Sequence, residues 1–481
     1  MILYTKVIRG LNRVCQLQRN IFYSDTKRGV CFSLSKKLPE LNAVTSALYV
    51  PGETATTIDG FLSPYLDFSK LFENLSDLEF NITQRGLDIN VKHIMRQWTE
   101  WKELECHRLQ LEEEREVIAK KMNSLKKDPA SNEKQRELKQ CGKKLREQLK
   151  DLTVQIWKVE MVVITILQLP NSLHHTTGFS NKQIFSLFKA PSFTYQPKDH
   201  VQIGERMGEL EFCNNSPSAY YLKNGLALLE LACSDYFLSR FKALGYQQQS
   251  NPDIVKAIVV EGCGAHYVAR HKLNKIADQE ADLERNSLHL IGGGSLAAFS
   301  AYFSKQIIEK SEYLPHRLVT VGRNYVPTSS AFLGLLGCRQ STVVDAFVVH
   351  EYNPVQEMEI LDEILLSLIQ SYIELQVHFK VIQYCGRHLE SYESAAVGVQ
   401  MFSPNTKEYH EVARISVCGD YISKRLWTLC KSSNKSASFL SMIHIRGCHV
   451  ARFLGLLMEN QQKENGTYDI PNCLQSIISM Y

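Results

Sequence analysis

The stretch of sequence that decides the fold is residues 91–163, which read VKHIMRQWTEWKELECHRLQLEEEREVIAKKMNSLKKDPASNEKQRELKQCGKKLREQLKDLTVQIWKVEMVV. Charged residues are dense in it, and apolar residues recur every seven positions. The repeat comprises Leu104, Leu111, Ile118 and Leu125, then Leu138, Leu145, Leu152 and Val159, with Leu149, Ile156 and Val163 at neighbouring positions. A heptad repeat that places apolar residues in one stripe along the helix is what a coiled coil requires.

The two halves of this stretch are separated by its one proline, Pro129. Proline lacks an amide hydrogen and cannot continue a helix, so we expect the chain to turn at residues 127–132. Two helices joined by a short turn pack antiparallel. Each helix is about 30 residues, hence roughly 45–50 Å long. The sequence therefore predicts that residues from about 92 to 163 form an antiparallel helical hairpin. We call this hairpin the arm.

The N-terminal residues differ in composition from the rest. Lys6, Arg9, Arg13 and Arg19 alternate with apolar residues, and the first acid is Asp25. A basic amphipathic segment without acids is typical of a mitochondrial transit peptide. We therefore interpret residues 1–30 as a presequence for the mitochondrial matrix, cleaved near residues 20–35; a disordered basic N-terminus is the alternative.

Residues 31–170 form an N-terminal domain that contains the arm, and residues 171–481 form a larger body. Helical patterns cover 222–244 and 360–375, and β-rich runs cover 257–260, 318–321 and 343–349. Strands and long helices without regular βαβ spacing predict an α+β fold whose sheet is mainly antiparallel and flanked by helices.

The bulk composition is that of a soluble globular protein. Hydrophobic residues make up 44% of the chain and charged residues 22%. No apolar run reaches the roughly 18 residues that span a bilayer. The 13 cysteines show no paired CxxC spacing, so we expect no metal site and no cofactor, with Cys385–His388 and Cys448–His449 as the alternative ligand pairs.

The whole chain has a net charge of +4, too small to indicate nucleic-acid binding by itself. Residues 120–150 alone carry +7, from eleven basic and four acidic residues, in the distal half of the arm. Such lysines contact phosphates without reading sequence; the alternative is an ordinary solvated helix surface. The candidate RNA-binding residues are Lys120, Lys121, Lys126, Lys127, Lys134, Arg136, Lys139, Lys143, Lys144, Arg146 and Lys150.

Several short strings, taken in order, carry a family resemblance. They are FEN at 72–74 with RG at 85–86, LPN at 169–171, HVQIGE at 200–205, and ENQQ at 459–462 with Gly466 and IP at 470–471. In this order the chain resembles the seryl-tRNA synthetases, which are class II aminoacyl-tRNA synthetases, and most of all the mitochondrial seryl-tRNA synthetase-like proteins of insects.

The resemblance implies that several active-site residues are replaced. The arginine that binds the ATP α-phosphate falls on Val326, and its partner glutamate on Thr328. The residues that bind the substrate amine fall on Gly293 and Ser295, and the serine-pocket run falls on residues 413–417. Residues 342–344 and Val348 are likewise apolar or neutral where the family has polar groups. The chain is therefore expected to be a pseudoenzyme, unable to form an aminoacyl-adenylate.

Two residues match the family's pattern. Glu411 falls on a Mg²⁺-binding glutamate and Arg452 on the motif 3 arginine that holds the γ-phosphate, so they are expected to form a vestigial nucleotide site; the alternative is that each is a paired structural charge left in the old cleft. Arg323 is a candidate displaced arginine, although its odd spacing from Val326 places it on the other strand face. The glycine run 292–294 is expected to be a flexible turn; a phosphate cradle is the alternative.

The family's motif 1, a helix, strand and proline at the dimer interface, falls on residues 222–252. Its predicted interface residues are Leu226, Leu229, Ala232, Cys233 and Pro252.

Three interpretations follow. The first is a non-catalytic mitochondrial protein that binds tRNA-like RNA and dimerises, with the active mitochondrial seryl-tRNA synthetase or with itself. The others are a divergent serine–tRNA ligase and a protein-binding scaffold.

Overall fold

The structure is a computed structural model that describes residues 46–48, 69–125, 132–213, 216–265, 274–276, 287–309, 313–326, 331–431 and 437–481. The proposed presequence, the turn at Pro129, the lysines Lys126 and Lys127, and Thr328 lie outside the described residues.

The N-terminal domain is helical. Its helices are α1 Ser69–Glu73, α2 Leu75–Arg85, α3 Val91–Leu125, α4 Asn132–Val159 and α5 Met161–Leu167. The long helices α3 and α4 pack on each other, as the heptads predict. Their shared apolar stripe consists of Leu111, Leu145, Leu149, Leu152 and Ile156. The short α5 is buried, and no helix in the described part of the chain is long and apolar enough to cross a membrane.

The body contains a large sheet and several short ones. Its strands are β1 Lys182–Leu187, β2 Leu210–Cys213, β3 Ser216–Leu222, β4 Gln247–Gln248, β5 Ile254–Lys256, β6 Leu288–Leu290, β7 Ile307–Ile308, β8 His316–Tyr325, β9 Gln340–His350, β10 Phe379–Gln383, β11 Ala395–Phe402, β12 Tyr409–Gly419, β13 Leu429–Lys431, β14 Ala437–Phe439 and β15 Ser441–His449. Its helices are α6 His200–Met207, α7 Asn224–Ala243, α8 Ala257–Gly262, α9 Leu296–Phe303, α10 Pro354–Glu374, α11 Tyr421–Leu426, α12 Val450–Asn460 and α13 Asn472–Ile478.

The large sheet has the strand order β1-β10-β11-β12-β15-β9-β8-β4. Every neighbouring pair in it is antiparallel except β4 and β8, which confirms the predicted α+β class. Helices α7, α10 and α12 pack on one face, around Phe237, Tyr372 and Phe453. Helices α8, α9 and α11 and the N-terminal domain pack towards the other, where Phe299 stacks on Phe347 at 5.3 Å.

One sequence prediction of a strand is wrong. Residues 257–260 lie in helix α8, which begins directly after strand β5. A four-residue apolar run suits either a buried strand or a buried helix. Tertiary packing selects the helix, because Val259 and Val260 are buried and a Cβ at Gly262 would lie 2.4 Å from a methyl carbon of Leu426 on α11.

The base of the arm is joined to the body by Arg85 at the end of α2. Its guanidinium donates to the carbonyl oxygens of Asn171, Glu390 and Glu393, at 2.9, 3.0 and 2.5 Å. Burial lowers the pKa of Arg85 to about 10, so the side chain remains a cation at neutral pH. The contact fixes the loop before β11, which supplies Glu393 to the site described below.

A second N-terminal contact involves residues 46–48. Ser46 Oγ donates to Glu261 at 2.5 Å, and the amides of Ala47 and Leu48 donate to the other carboxylate oxygen. Ala47 is 0% exposed and Leu48 3%. Burial raises the pKa of Glu261 despite these bonds. This short segment is therefore held against α8 by one buried carboxyl group.

Candidate active site

Three neighbouring strands of the large sheet each carry a charged residue flanked by small or apolar residues. They are Asp345 on β9, Arg446 on β15 and Arg414 on β12. The register pairs Asp345 with Arg446 and Arg446 with Arg414. Residues paired directly across strands project from the same face. We call these three residues and the groups that touch them the charged face.

Asp345 forms one end of the charged face. Its carboxylate accepts from Arg446 Nε and Nη2, each at 3.1 Å, and lies 3.0 Å from His444 Nε2. Burial alone would raise the pKa of Asp345, but the charge of Arg446 and the bond with His444 outweigh it and lower that pKa. A carboxylate with no exposed surface is thus kept ionised by two partners.

Arg414 forms the other end. Its Nε and Nη2 donate to the two oxygens of Glu393, each at 2.7 Å, and its Nη1 donates to Glu411 at 2.9 Å. Ser416 Oγ also donates to Glu393, at 2.5 Å. Burial lowers the pKa of Arg414, but the bonds and charge of Glu393 more than reverse that effect, so the pKa is raised. Arg414 is a permanent cation.

Glu411 reaches the charged face because of a β-bulge. The register between β11 and β12 slips by one residue, which leaves Val412 as the extra residue. A bulge re-aims the side chains beside it, and it brings Glu411 to the same side as Arg414. Tyr384 donates its hydroxyl to Glu411 at 2.6 Å, and the Arg414 guanidinium lies 4.5 Å from the centre of the Tyr384 ring.

The structure brings Arg452 to the backbone of Glu411, whereas the Glu411 carboxylate binds Arg414. Arg452, in the first turn of α12, donates Nη1 to the backbone oxygen of Glu411 at 3.3 Å and Nε to that of Leu336 at 3.1 Å. The ring of His449 caps this helix by accepting from the Arg452 amide at 3.4 Å, and its other nitrogen lies 3.2 Å from Ser341 Oγ. Burial, then the neighbouring arginines, lower the pKa of His449 well below its usual value.

The site is not fully enclosed. The side chains of Arg414, Arg446 and Glu411 retain 18%, 24% and 26% of their accessible surface. The guanidinium groups of Arg414 and Arg446 thus lie beside the carboxylates of Glu393 and Asp345 on one face of the sheet, and the guanidinium group of Arg452 reaches the backbone oxygen of Glu411. The arrangement suits an anionic ligand such as a phosphate group, which arginine recognises through charge and directed donors.

The proposed displaced arginine, Arg323, does not join the charged face. It pairs with Thr342 across the strands, donates to its hydroxyl at 2.8 Å and lies 3.5 Å from Glu230. Thr342 and Asp345 are an odd number of residues apart, so they lie on opposite faces. Arg323 instead lines a separate cavity of about 490 Å³ together with Tyr220 and Glu230. Val326 is at the end of β8 and is 37% exposed.

The glycine run 292–294 is a packed turn, and the phosphate-cradle alternative is wrong. Its amides already donate within the protein, those of Gly292 and Gly293 to Asp253 and that of Gly294 to the Arg323 carbonyl. A Cβ at Gly292 would lie 2.0 Å from that same carbonyl oxygen. The glycines are needed because the turn lies directly on the backbone of β8. Ser295 accepts from the Ala298 amide and caps α9.

Sequence reasoning missed Asp345, His444, Arg446 and Glu393, and it treated Arg414 only as a lost pocket residue. For Asp345 and Arg446 a usable signal was present, because a lone carboxylate or guanidinium group within a mainly apolar strand must find a partner when it is buried. Cys385 and His388 do make contact, Sγ to Nδ1 at 3.3 Å. Among the described residues, however, no group of three or more His, Cys, Asp or Glu could hold a metal ion.

Four of the five predicted interface residues must be corrected. Leu226, Leu229, Ala232 and Cys233 are each 0% exposed and belong to the core of their own chain, so no partner can touch them. Pro252 is exposed. The exposed large apolar side chains on α7 and on the strand before it are Leu228, Leu231 and Tyr221, whose exposed fractions are 37%, 48% and 57%.

The described members of the predicted RNA-binding set in the arm are all exposed. They are Lys120, Lys121, Lys134, Arg136, Lys139, Lys143, Lys144, Arg146 and Lys150. Lys120 lies 3.7 Å from Glu116, one turn earlier, and both side chains are more than two-thirds exposed. The structure thus places these cations along the outer surface of α3 and α4, where a polyanion can approach them.

Comparison with known proteins agrees with this architecture. Residues 281–461 match the family model of the tRNA synthetase class II core domain (G, H, P, S and T). The serine–tRNA synthetase-like protein Slimp of Drosophila melanogaster is 27% identical over 86% of this chain and 89% of its own. The mitochondrial serine–tRNA ligase of Mus musculus is 26% identical over 79% of this chain and 76% of its own.

Solved structures show the same fold. Seryl-tRNA synthetase from Pyrococcus horikoshii, complexed with ATP, has a TM-score of 0.71 and 20% identity, and the match covers 86% of this chain and 98% of that one. The relatives are named as synthetases and ligases, so the prediction that this chain is not an enzyme is wrong. That prediction counted replaced residues position by position, whereas Arg446 and Asp345 supply charged groups at other positions of the same sheet.

Proposed function

Because this chain carries a class II tRNA synthetase core domain and resembles the seryl-tRNA synthetases over most of its length, we propose that it is a mitochondrial paralogue of that family that binds tRNA through its basic arm. The observation that carries the proposal is the row of exposed cations on α3 and α4. Exposed lysines that neutralise phosphates release condensed counterions and give affinity that falls steeply with salt.

The test is charge reversal at Lys143, Lys144 and Lys150, read by fluorescence anisotropy of labelled tRNA across a salt series. Each lost phosphate contact should reduce the steepness of the plot of log K against log salt by about 1. The slope of the triple Glu variant should therefore be smaller in magnitude than that of wild type by about 2–3. The same change at Lys182, Lys189 and Lys256, exposed on the body, is the matched control and should leave the slope nearly unchanged. Equal slopes for wild type and arm variant would remove the arm from RNA binding.

The proposal includes a dimer formed through α7. Leu228 and Leu231 lie three residues apart on this helix and are exposed, which makes an apolar patch of the kind that contacts a partner. The partner is the active mitochondrial seryl-tRNA synthetase or a second copy of this chain. Native mass measurement, alone and after co-expression with that enzyme, distinguishes the two. Leu228→Glu with Leu231→Glu should give a monomer, whereas Leu109→Glu on the arm, 53% exposed, should not.

Location in the mitochondrial matrix is part of the same proposal. The acid-free basic N-terminus and the mitochondrial relative support it. Residues 1–45 fused to a reporter should direct it into the matrix, and reversal of Arg9, Arg13 and Arg19 to Glu should abolish import.

A divergent serine–tRNA ligase is the second candidate function. The arginines of the charged face and the names of the relatives favour it. Serine-dependent exchange of pyrophosphate into ATP, lost in Arg446→Ala and kept in Arg323→Ala, would support it. No exchange above background by purified wild type would count against it and would leave the RNA-binding proposal intact.

A further inference from the structure

The carboxylates of the charged face raise the question of whether they hold a divalent cation. The resemblance places one at Glu411, and Mg²⁺ requires carboxylate oxygens that it can approach to about 2.0–2.1 Å in octahedral geometry. Both oxygens of Glu393 and one oxygen of Glu411 are already engaged by Arg414. The residues present therefore do not fit a Mg²⁺ ion between these two acids.

The remaining contacts close the space further. Glu393 also accepts from Ser416 Oγ and from the amide of Glu390, at 2.5 and 2.7 Å. Glu411 Oε2 also accepts the Tyr384 hydroxyl. A metal ion would have to displace Arg414 from a carboxylate with no exposed surface. Removing one partner of such a buried pair is strongly unfavourable, because it leaves the other charge uncompensated.

We propose that Arg414 is a built-in cation that replaces the divalent metal at Glu411, so that this protein binds nucleotide phosphates without Mg²⁺. The inference rests on the proposed relation to synthetases, which makes the charged face a nucleotide site. It concerns the metal requirement of that site.

The charges of the face support this assignment. Arg414 and Arg446 are direct neighbours across β12 and β15. Like charges in that position repel, and each is neutralised by its own buried acid, Glu393 and Asp345 respectively. Glu411 is the third acid: its carboxylate accepts from Arg414, and its backbone oxygen accepts from the third arginine, Arg452. A face in which three acids already match three guanidinium groups offers no excess negative charge to a divalent ion.

The position of Arg414 gives a direct substitution test. It lies in the run 413–417, where the resemblance expects serines, so Arg414→Ser restores the family's residue and frees Glu411 and Glu393 for a metal. Arg414→Lys keeps the positive charge without the forked donors. Arg323→Ser is the control, because it removes another carboxylate-paired arginine of the same sheet, one that lies on the opposite face.

The experiment measures binding of a fluorescent ATP analogue to the full-length protein in excess EDTA and in excess Mg²⁺, together with titration of Mn²⁺ followed by electron paramagnetic resonance. Wild type, Arg414→Lys and Arg323→Ser should have the same Kd with and without Mg²⁺ and should take up no Mn²⁺. Arg414→Ser should gain one Mn²⁺ and become metal-dependent.

Several outcomes overturn the inference. Tighter nucleotide binding by wild type in Mg²⁺ than in EDTA, or stoichiometric Mn²⁺ uptake by wild type, would show that Arg414 does not replace the metal. Absence of nucleotide binding in both conditions would also overturn it, and the tRNA titration would then show whether the arm proposal survives. Should Arg414→Ser fail to fold, the wild type and Arg414→Lys measurements decide the question.

Discussion

The arm and the charged face use the same basic residues in opposite ways. In the arm, Lys143 and Arg146 lie in solvent on the outside of a two-helix stripe. On the charged face, Arg414 and Arg446 each bind a carboxylate that has no exposed surface. Positive charge in the arm is therefore available to another molecule, whereas charge on the face is neutralised within the protein. Substitution of these basic residues should therefore affect folding strongly on the charged face and weakly in the arm.

The largest effect is expected from Asp345→Asn. It leaves Arg446 without its buried counterion and His444 without its ionised partner. Breaking such a pair costs about 3–5 kcal/mol of unfolding free energy, which urea denaturation followed by circular dichroism measures. Asp345→Asn with Arg446→Met should recover part of the loss, because it removes both charges. If Asp345→Asn unfolded at the same urea concentration as wild type, the stabilising pair between Asp345 and Arg446 would be contradicted.

A smaller and local effect is expected from Leu149→Ala in the arm. Leu149 is 8% exposed within the stripe between α3 and α4. A buried leucine cut to alanine costs about 2–5 kcal/mol, and we expect the lower end because a two-helix arm can relax around the cavity. Hydrogen exchange should accelerate in α4 and remain unchanged in β9. Equal acceleration in both would mean that arm and body unfold together.

A still smaller effect should come from pH, through His449. Its pKa is lowered in the folded state, so the unfolded chain binds the proton more readily below the ordinary histidine pKa of about 6.5. Stability from this group is therefore present above pH 6.5 and is lost as pH falls below it. His449→Asn keeps a helix-capping side chain but cannot titrate. The difference in stability between wild type and His449→Asn should shrink between pH 7.5 and roughly pH 5; a constant difference would contradict the shift.

The smallest effect is expected from Glu116→Gln. Glu116 and Lys120 form an exposed ion pair one turn apart, and such pairs contribute little to stability. The unfolding midpoint should remain that of wild type, while tRNA affinity should stay the same or rise slightly because a nearby negative charge is gone. A clear loss of stability would show that the arm surface is coupled more tightly than its exposure indicates.

Local pattern was enough to predict the arm, since its heptads lie within single helices. The antiparallel class of the body and helices α7 and α10 were also predicted correctly from composition and periodicity. The charged face was not, because Asp345, Arg414 and Arg446 meet only through the register of three strands distant in sequence. The bulge at Val412, which re-aims Glu411, leaves no local signature in the sequence.

The interface prediction failed for a different reason. Helix α7 is apolar on most sides, so its sequence does not show which leucines face the core. The structure assigns Leu226 and Leu229 to the core and leaves Leu228 and Leu231 open. A helix that is apolar around most of its circumference is buried on more than one side, and only the packed fold shows which surface remains.

The contact between residues 46–48 and Glu261 limits how far the N-terminus can be removed without loss of stability. Cleavage near residues 20–35 would leave all three donors to this carboxyl group in place. Trimming beyond Leu48 would remove these donors and leave Glu261, which is 7% exposed, buried without those bonds. A buried acceptor that loses its donors lowers the free energy of unfolding of the body. A protease that trims the chain from its N-terminus therefore meets a boundary near residue 46 that the folded body itself defines.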